Sequence, residues 1–131
     1  MKTLIVEDDF VSRLVLQQML SGFGTVHIAV NGLEALEAFR RAAATTSPYD
    51  LVCLDIMMPE MDGHTVLQEI RAFEEARDIT GSAATKVFMT SALSDGKNVF
   101  QAFREQCEAY LVKPIDRAKL IAQLQAFDLI S

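Results

Sequence analysis

Five times along this chain a short apolar run gives way to a helical pattern, and no other feature constrains the fold as strongly. The runs are Thr3–Val6, Thr25–Val30, Leu51–Leu54, Lys86–Thr90 and Ala109–Val112. Each is followed by apolar residues at helical spacing: Val11, Leu14, Val15 and Met19 within Phe10–Leu20; Leu33, Leu36 and Phe39; Val66, Leu67, Ile70 and Phe73; Val99, Phe100 and Phe103; Leu120, Leu124 and Phe127. Strict alternation of this kind implies a parallel sheet with helices on both faces, joined by right-handed crossovers. Leu51–Leu54 is apolar throughout, as a strand covered on both faces should be.

Turn chemistry punctuates the pattern. Gly22 and Gly24 end the first helix, and Asn31-Gly32 forms a turn in which Asn31 caps the second. That helix fades into Ala42–Ser47 and stops at Pro48. Ser94 or Asp95 is expected to cap the fourth helix and Asp116 the fifth. Phe73 and the glutamates after it read as a solvated helix end, followed by a small, polar stretch at Thr80–Thr85.

Composition sets the remaining bounds. A length of 131 residues suits one domain, expected to span 1–131. The net charge of −6 argues against direct nucleic-acid binding, which wants a basic patch. The chain has no apolar run of 18 residues to cross a membrane, and its apolar start is too short for a signal peptide. A cytoplasmic address is therefore expected. Cys53 and Cys107 are too few and too far apart for a metal cage or a disulfide framework, and Cys53 reads as a buried thiol. His27 and His64 lack metal-ligand spacing and read as structural or surface residues, while Arg13 and Lys119 read as solvated helix charges.

The reactive side chains gather at the carboxyl ends of the expected strands. Strand one ends in Glu7-Asp8-Asp9, strand three in Asp55, strand four in Thr90-Ser91 and strand five in Lys113-Pro114. Strand two ends in Ala29-Val30, with nothing ionisable. Open α/β sheets bind ligands outside the carboxyl ends, where the strand order reverses. The order 2-1-3-4-5 of flavodoxin-like, doubly wound sheets would bring strands one and three together there and leave strand two aside. Glu7, Asp8 and Asp55 would then converge. Two like charges about 4 Å apart repel by roughly 4 kcal/mol at an effective dielectric of 20, so a trio calls for compensation. Mg²⁺ suits such an oxygen cluster and keeps waters that a phosphoryl oxygen can replace. Lys113 can pair with Asp55 or with a phosphate, and a Ser91 hydroxyl can donate to a phosphoryl oxygen. Carboxylate nucleophile, metal, lysine and hydroxyl are the parts that transfer to an aspartate requires.

Five pieces in order carry a family resemblance: Leu4-Ile5-Val6-Glu7-Asp8-Asp9, Asn31-Gly32-Leu33-Glu34-Ala35-Leu36, Asp55-Ile56-Met57-Met58-Pro59-Glu60-Met61-Asp62-Gly63, Thr90-Ser91-Ala92 and Tyr110-Leu111-Val112-Lys113-Pro114. Over essentially its whole length the chain resembles the receiver domain of two-component response regulators. The resemblance implies that Asp55 is the phosphoacceptor and that Glu7, Asp8, Asp55 and the backbone carbonyl of Met57 hold Mg²⁺, or Mn²⁺ in its place. It implies Ser91 as the switch hydroxyl, Tyr110 as the switch aromatic and Lys113 as the family's lysine, with a cis Lys113-Pro114 bond. A histidine kinase or phosphotransfer protein would be the donor and a downstream protein the target. The domain is expected to stand without an output domain, as a monomer or weak dimer, and to act as a signalling switch, not as an enzyme on other substrates. Thr90 competes with Ser91 for the switch role, and alternation along the strand favours Ser91. Asp9 could be a second acid of the site or a helix cap, and reads as the cap.

Three departures stand out. Glu7 replaces the commoner Asp, Glu74–Thr85 carries extra material, and Glu105-Gln106-Cys107 lacks the glycine that often ends helix four. Two other readings remain in view. One is a degenerate receiver that serves only as a dimerisation module. The other is a small phosphohydrolase of the haloacid-dehalogenase type, which would want an aspartate where Met57 stands.

Overall fold

The five β-rich runs form one parallel sheet in the order β2-β1-β3-β4-β5. The computed structural model describes residues 1–93 and 95–131. Its strands are β1 (Lys2–Val6), β2 (Thr25–Ala29), β3 (Leu51–Asp55), β4 (Lys86–Ser91) and β5 (Ala109–Val112). They alternate with helices α1 (Phe10–Leu20), α2 (Gly32–Ala43), α3 (Gly63–Ala76), α4 (Gly96–Arg104) and α5 (Arg117–Ala126). The doubly wound, flavodoxin-like expectation holds, including the reversal between β1 and β3, which pair in parallel from Thr3↔Leu51 to Val6↔Leu54. Ser94 lies outside the described residues; the carboxylate of Asp95 caps α4 by accepting from the Asn98 amide at 3.2 Å.

Period-two alternation divides the core between the two faces of the sheet. Leu4, Val6, Val52, Leu54, Val87 and Met89 point towards α2, α3 and α4, where Leu36, Phe39, Leu67, Ile70 and Ala102 meet them. Ile5, Leu51, Cys53 and Phe88 point the other way, onto Leu16 and Leu20 of α1 and Leu120 and Leu124 of α5. Each fully buried Leu, Ile or Phe contributes roughly 1.5–3 kcal/mol from its removal from water. Burial also pushes the Cys53 thiol up to about 12, so it packs as a small apolar group.

All five helices begin on a side-chain cap of the same chemistry. Asp9, Asn31, Asp62, Asp95 and Asp116 each accept from the backbone amide three residues on, at 2.8–3.2 Å. Each satisfies an orphan amide and is worth about 1 kcal/mol. These caps set all five helix starts at the sheet's carboxyl edge.

Two apolar stripes do not face the core as expected. Val11, Leu14 and Val15 of α1 are exposed, and the helix is buried through Leu16 and Leu20 instead. Leu33 of α2 is also exposed, at 65%. The glutamates after Phe73 depart from expectation as well, because Glu74 is buried. Its carboxylate accepts from Arg71 at 2.7 Å and from the Thr85 amide at 2.8 Å. Arg71 also donates to the carbonyl oxygens of Thr85 and Gln106 and to the carboxylate of Glu108. The extra residues after α3 are thereby tied down by one arginine. Gln106 occupies the missing-glycine position with φ 73°, in the left-handed region that glycine adopts without strain.

Candidate functional site

The carboxyl ends of β1, β3, β4 and β5 build one acidic cleft. β1 runs out at Val6, and Glu7 follows it, completely buried, with its backbone amide still donating to the Ala29 carbonyl of β2 at 3.1 Å. Asp8 is the exposed member, at the rim. Asp55 is the last residue of β3 and 3% exposed. One carboxylate oxygen from each of Glu7, Asp8 and Asp55 lies within 4.8 Å of the others. This is the convergence expected for that trio.

Lys113 leaves β5 just before a cis peptide bond to Pro114. Its ammonium bonds the Glu7 carboxylate and stands 3.4 Å from Asp55 Oδ1. The expected partner was Asp55 or a phosphate; here the lysine bridges two of the acids and holds Glu7 the more closely. Burial works against the ammonium, but the Glu7 bond and the Asp55 charge raise its pKa above the ordinary lysine value.

The opposite pressure acts on Asp55. Burial, then the Glu7 charge, push its carboxyl up to about 7, and Lys113 only partly offsets them. Three carboxylates against one ammonium leave the cleft short of positive charge. A hard divalent cation with oxygen preference supplies that deficit, so the donor set fits Mg²⁺ chemistry. Met57 lies in the loop after β3, with its side chain 58% exposed.

Two hydroxyls and a loop carbonyl join the cleft to α4. Ser91, the last residue of β4, is fully buried, and its Oγ accepts from the Leu93 amide at 3.0 Å. The half-buried Tyr110 of β5 donates from its hydroxyl to the Leu93 carbonyl at 2.7 Å. Burial raises the pKa of that phenol. Thr90 is buried too, with no hydrogen-bond partner for its hydroxyl among the described residues. Asp9 caps α1 through the Ser12 amide, and that bond lowers its pKa, so the cap reading holds.

Sequence reasoning overlooked two contributors. Arg13 donates from its guanidinium to the Glu7 carbonyl at 3.2 Å and bolts α1 to the cleft wall. Gly63, quoted only as part of a motif, has a steric reason to be there. A Cβ on it would come within 2.4 Å of the Asp55 carbonyl oxygen and 2.8 Å of the Ile56 Cα. The start of α3 therefore rests directly on the backbone that carries Asp55. A run of Asp-Gly before an apolar helix was the available signal.

Comparison with known proteins agrees with this geometry. The family model described as response regulator receiver domain matches residues 3–125. The chemotaxis protein CheY of Treponema pallidum is 34% identical over 125 residues, 94% of this chain and 79% of that protein. The transcriptional regulatory protein ZraR of Klebsiella oxytoca is 36% identical over 118 residues; these are 89% of this chain but only 24% of ZraR. Among solved structures, the CheX–CheY–BeF3–Mg²⁺ complex of Borrelia burgdorferi superposes with a TM-score of 0.83 at 30% identity, covering 99% of this chain and 90% of that one. With the 2-1-3-4-5 sheet and the acidic cleft at its carboxyl edge, the chain belongs to the response regulator receiver domains of two-component signalling.

Proposed function

We propose that Asp55 takes a phosphoryl group from a phosphohistidine of a histidine kinase or phosphotransfer protein, with Mg²⁺, or Mn²⁺ in its place, held by Glu7, Asp8, Asp55 and the Met57 carbonyl. The observation that carries this reading is the convergence of three carboxylates within 4.8 Å around a buried Asp55, with Lys113 at 3.4 Å. In the transfer a carboxylate oxygen of Asp55 attacks phosphorus and an acyl phosphate forms. The phosphorus–nitrogen bond breaks, its electron pair stays on the imidazole nitrogen, and that nitrogen takes up a proton. Glu7, Asp8, Asp55 and the Met57 carbonyl would hold the divalent ion there, and it would supply positive charge against the transferring group. Lys113 adds a fixed cation beside the acceptor oxygen, and Glu7 keeps it there. Asp55 reacts as the anion, so its raised pKa favours attack only once positive charge has entered the cleft.

A protein donor is supported by the surface next to the cleft. Val11, Val15 and Leu16 of α1, with Pro114 and Ile115, line a groove of about 170 Å³ whose wall includes Lys113 itself. Val11 in its lining is 65% exposed, as is Phe10, which precedes it in the chain. An apolar groove continuous with the reactive lysine suits a helix that carries the phosphohistidine.

The acyl phosphate adds about −1.5 to −2 charge and three acceptor oxygens. Ser91 supplies a donor, since its oxygen accepts from Leu93 while its O–H is free to turn to the phosphoryl group. Leu93 is also what Tyr110 holds, so movement of Ser91 is felt by Tyr110 and by the start of α4. The surface of α4, β5 and α5, with exposed Phe100 and Phe103, Tyr110 and Lys119, would then change for a downstream target protein. Driving such a switch from 1:99 to 99:1 takes roughly 5.5 kcal/mol of differential stabilisation. The cytoplasm is the compartment where such partners meet it; among the described residues no helix is long and apolar enough to cross a membrane. The test is phosphotransfer from a phosphorylated histidine donor with Mg²⁺, comparing the wild type with Asp55→Asn. Labelling of the wild type alone is expected, and equal labelling of the variant at the same site refutes the assignment.

A further inference from the structure

One buried hydroxyl stands beside the acceptor without a partner. Thr90 lies in β4 and is 1% exposed, and its Oγ1 has no hydrogen-bond partner among the described residues. Leaving a buried hydroxyl unbonded is costly, so its neighbours matter. Thr3 carries a partnerless hydroxyl as well, but its strand partners, Val26 and Leu51, are apolar.

Strand register sets Thr90 against Asp55. The two are direct partners across β3 and β4, and the Ile56 amide donates to the Thr90 carbonyl at 3.1 Å. Side chains two residues apart on a strand share a face. Ile5, Cys53, Phe88 and Leu111 share the face packed on Leu16 of α1 and Leu120 of α5. Two residues beyond them come Glu7, Asp55, Thr90 and Lys113. The Lys113 backbone still belongs to the ladder, since its amide donates to the Ser91 carbonyl at 2.7 Å. To reach Glu7 and Asp55 from the end of β5, the lysine side chain must cross β4, and Thr90 is the β4 residue on that face. Ser91 follows Val87 and Met89 on the other face. The two hydroxyls of β4 thus reach the carboxyl edge from opposite faces of the sheet.

Reach and chemistry both suit a bond from Thr90 to Asp55. Neighbouring strands lie about 4.8 Å apart, a gap that a threonine hydroxyl and an aspartate carboxylate bridge with one hydrogen bond. A turn of the threonine between staggered positions is enough to aim it. Lys113 now stands 3.4 Å from Asp55 Oδ1, and a phosphoryl group arriving there competes for the same ammonium. A hydroxyl donor occupies one of the four lone-pair sites of a carboxylate and leaves the others for a cation and for phosphorus.

We propose that Thr90 is a positioning residue for the acceptor: its hydroxyl turns to the Asp55 carboxylate and keeps it oriented for attack while Lys113 is drawn to the incoming phosphoryl group. The proposal rests on Asp55 being the acceptor. It gives the two hydroxyls of β4 separate work, Thr90 on the acceptor and Ser91 on the transferred group.

Thr90→Val removes the hydroxyl and keeps the branched shape, whereas Thr90→Ser keeps the hydroxyl. Each is compared with the wild type in urea unfolding, in the rate of phosphotransfer from a phosphorylated histidine donor, and in binding of beryllofluoride with Mg²⁺ followed by ¹⁹F NMR. Thr90→Val is expected to be at least as stable as the wild type, because a partnerless hydroxyl is gone. It should nevertheless take phosphate about tenfold or more slowly and bind beryllofluoride about tenfold or more weakly, the scale of one hydrogen bond to a charged group. Thr90→Ser should recover most of both. Labelling and beryllofluoride binding in Thr90→Val equal to the wild type, a loss that Thr90→Ser does not recover, or a loss of rate matched by a loss of stability overturns the proposal. A wild type that takes neither label nor beryllofluoride fails the acceptor reading itself, and the proposal falls with it.

Discussion

Replacing Asp55 with Asn should make the metal-free protein more stable at pH 8. The carboxyl is pushed from 3.8 to about 7, by burial first and by the Glu7 charge second. A folded state that holds a proton more tightly than the unfolded chain is favoured most below the unfolded value. It loses that advantage as pH rises through the folded value. Stability should therefore fall between about pH 4 and pH 7 and stay low above. Three pH units at about 1.4 kcal/mol each set an upper bound near 4 kcal/mol. Water at the cleft mouth and the loss of the Lys113 contact bring the expected gain in Asp55→Asn down to about 1–2 kcal/mol. The assay is urea unfolding at pH 5, 6, 7 and 8 in a chelator, then with Mg²⁺. At ten times its dissociation constant, Mg²⁺ should stabilise the wild type by about 1.4 kcal/mol. The variant, with one of three carboxylates gone, should respond far less. A variant no more stable than the wild type at pH 8, with the same slope against pH, would refute the claim that the cleft is short of positive charge.

Substitutions at three further positions probe the scaffold. Gly63→Ala places a methyl 2.4 Å from the Asp55 carbonyl, against backbone that cannot yield cheaply; a loss of about 1–3 kcal/mol in urea unfolding is expected, with weaker Mg²⁺ binding. Arg71→Ala strips the buried Glu74 of its cation and should cost about 3 kcal/mol by the same assay, with Arg71→Lys restoring only part because one ammonium cannot span Glu74, Glu108 and two carbonyls. Gln106→Gly relieves a left-handed backbone at φ 73° and should stabilise by about 0.5–1 kcal/mol, seen as a raised urea midpoint with an unchanged slope.

The cleft was legible because a parallel strand writes its burial as an apolar run, and the first charged residue after it marks the edge where ligands bind. Glu7, Asp55 and Lys113 all announce themselves in this way. The buried face of α1 was not legible. Phe10, Val11, Leu14, Val15, Leu16, Met19 and Leu20 make that helix apolar over more than one face, and spacing alone could not say which row meets the sheet. Leu16 and Leu20 join the cluster of Ile5, Leu51 and Cys53, Met19 packs partly against it, and Val11 and Val15 are left exposed beside Pro114 and Ile115. Glu74, His64 and Glu105 were illegible for another reason. Each is a polar residue placed against a partner far along the chain: Thr85 lies 11 positions from Glu74, and Glu105 lies 41 positions from His64. No local periodicity records such pairings.

The fourteen residues of α3 run from Gly63, pressed against the Asp55 backbone, to Ala76, inside the extra segment that starts at Glu74. At 1.5 Å per residue that is a rigid spacer of about 21 Å. Arg71 fastens the added material near the far tip of the spacer, on the amino side of the strands. Length can thus vary at one pole of the molecule without moving an atom at the other. That pole is where a fluorophore or a fused module could be attached with the chemistry of the opposite edge left intact.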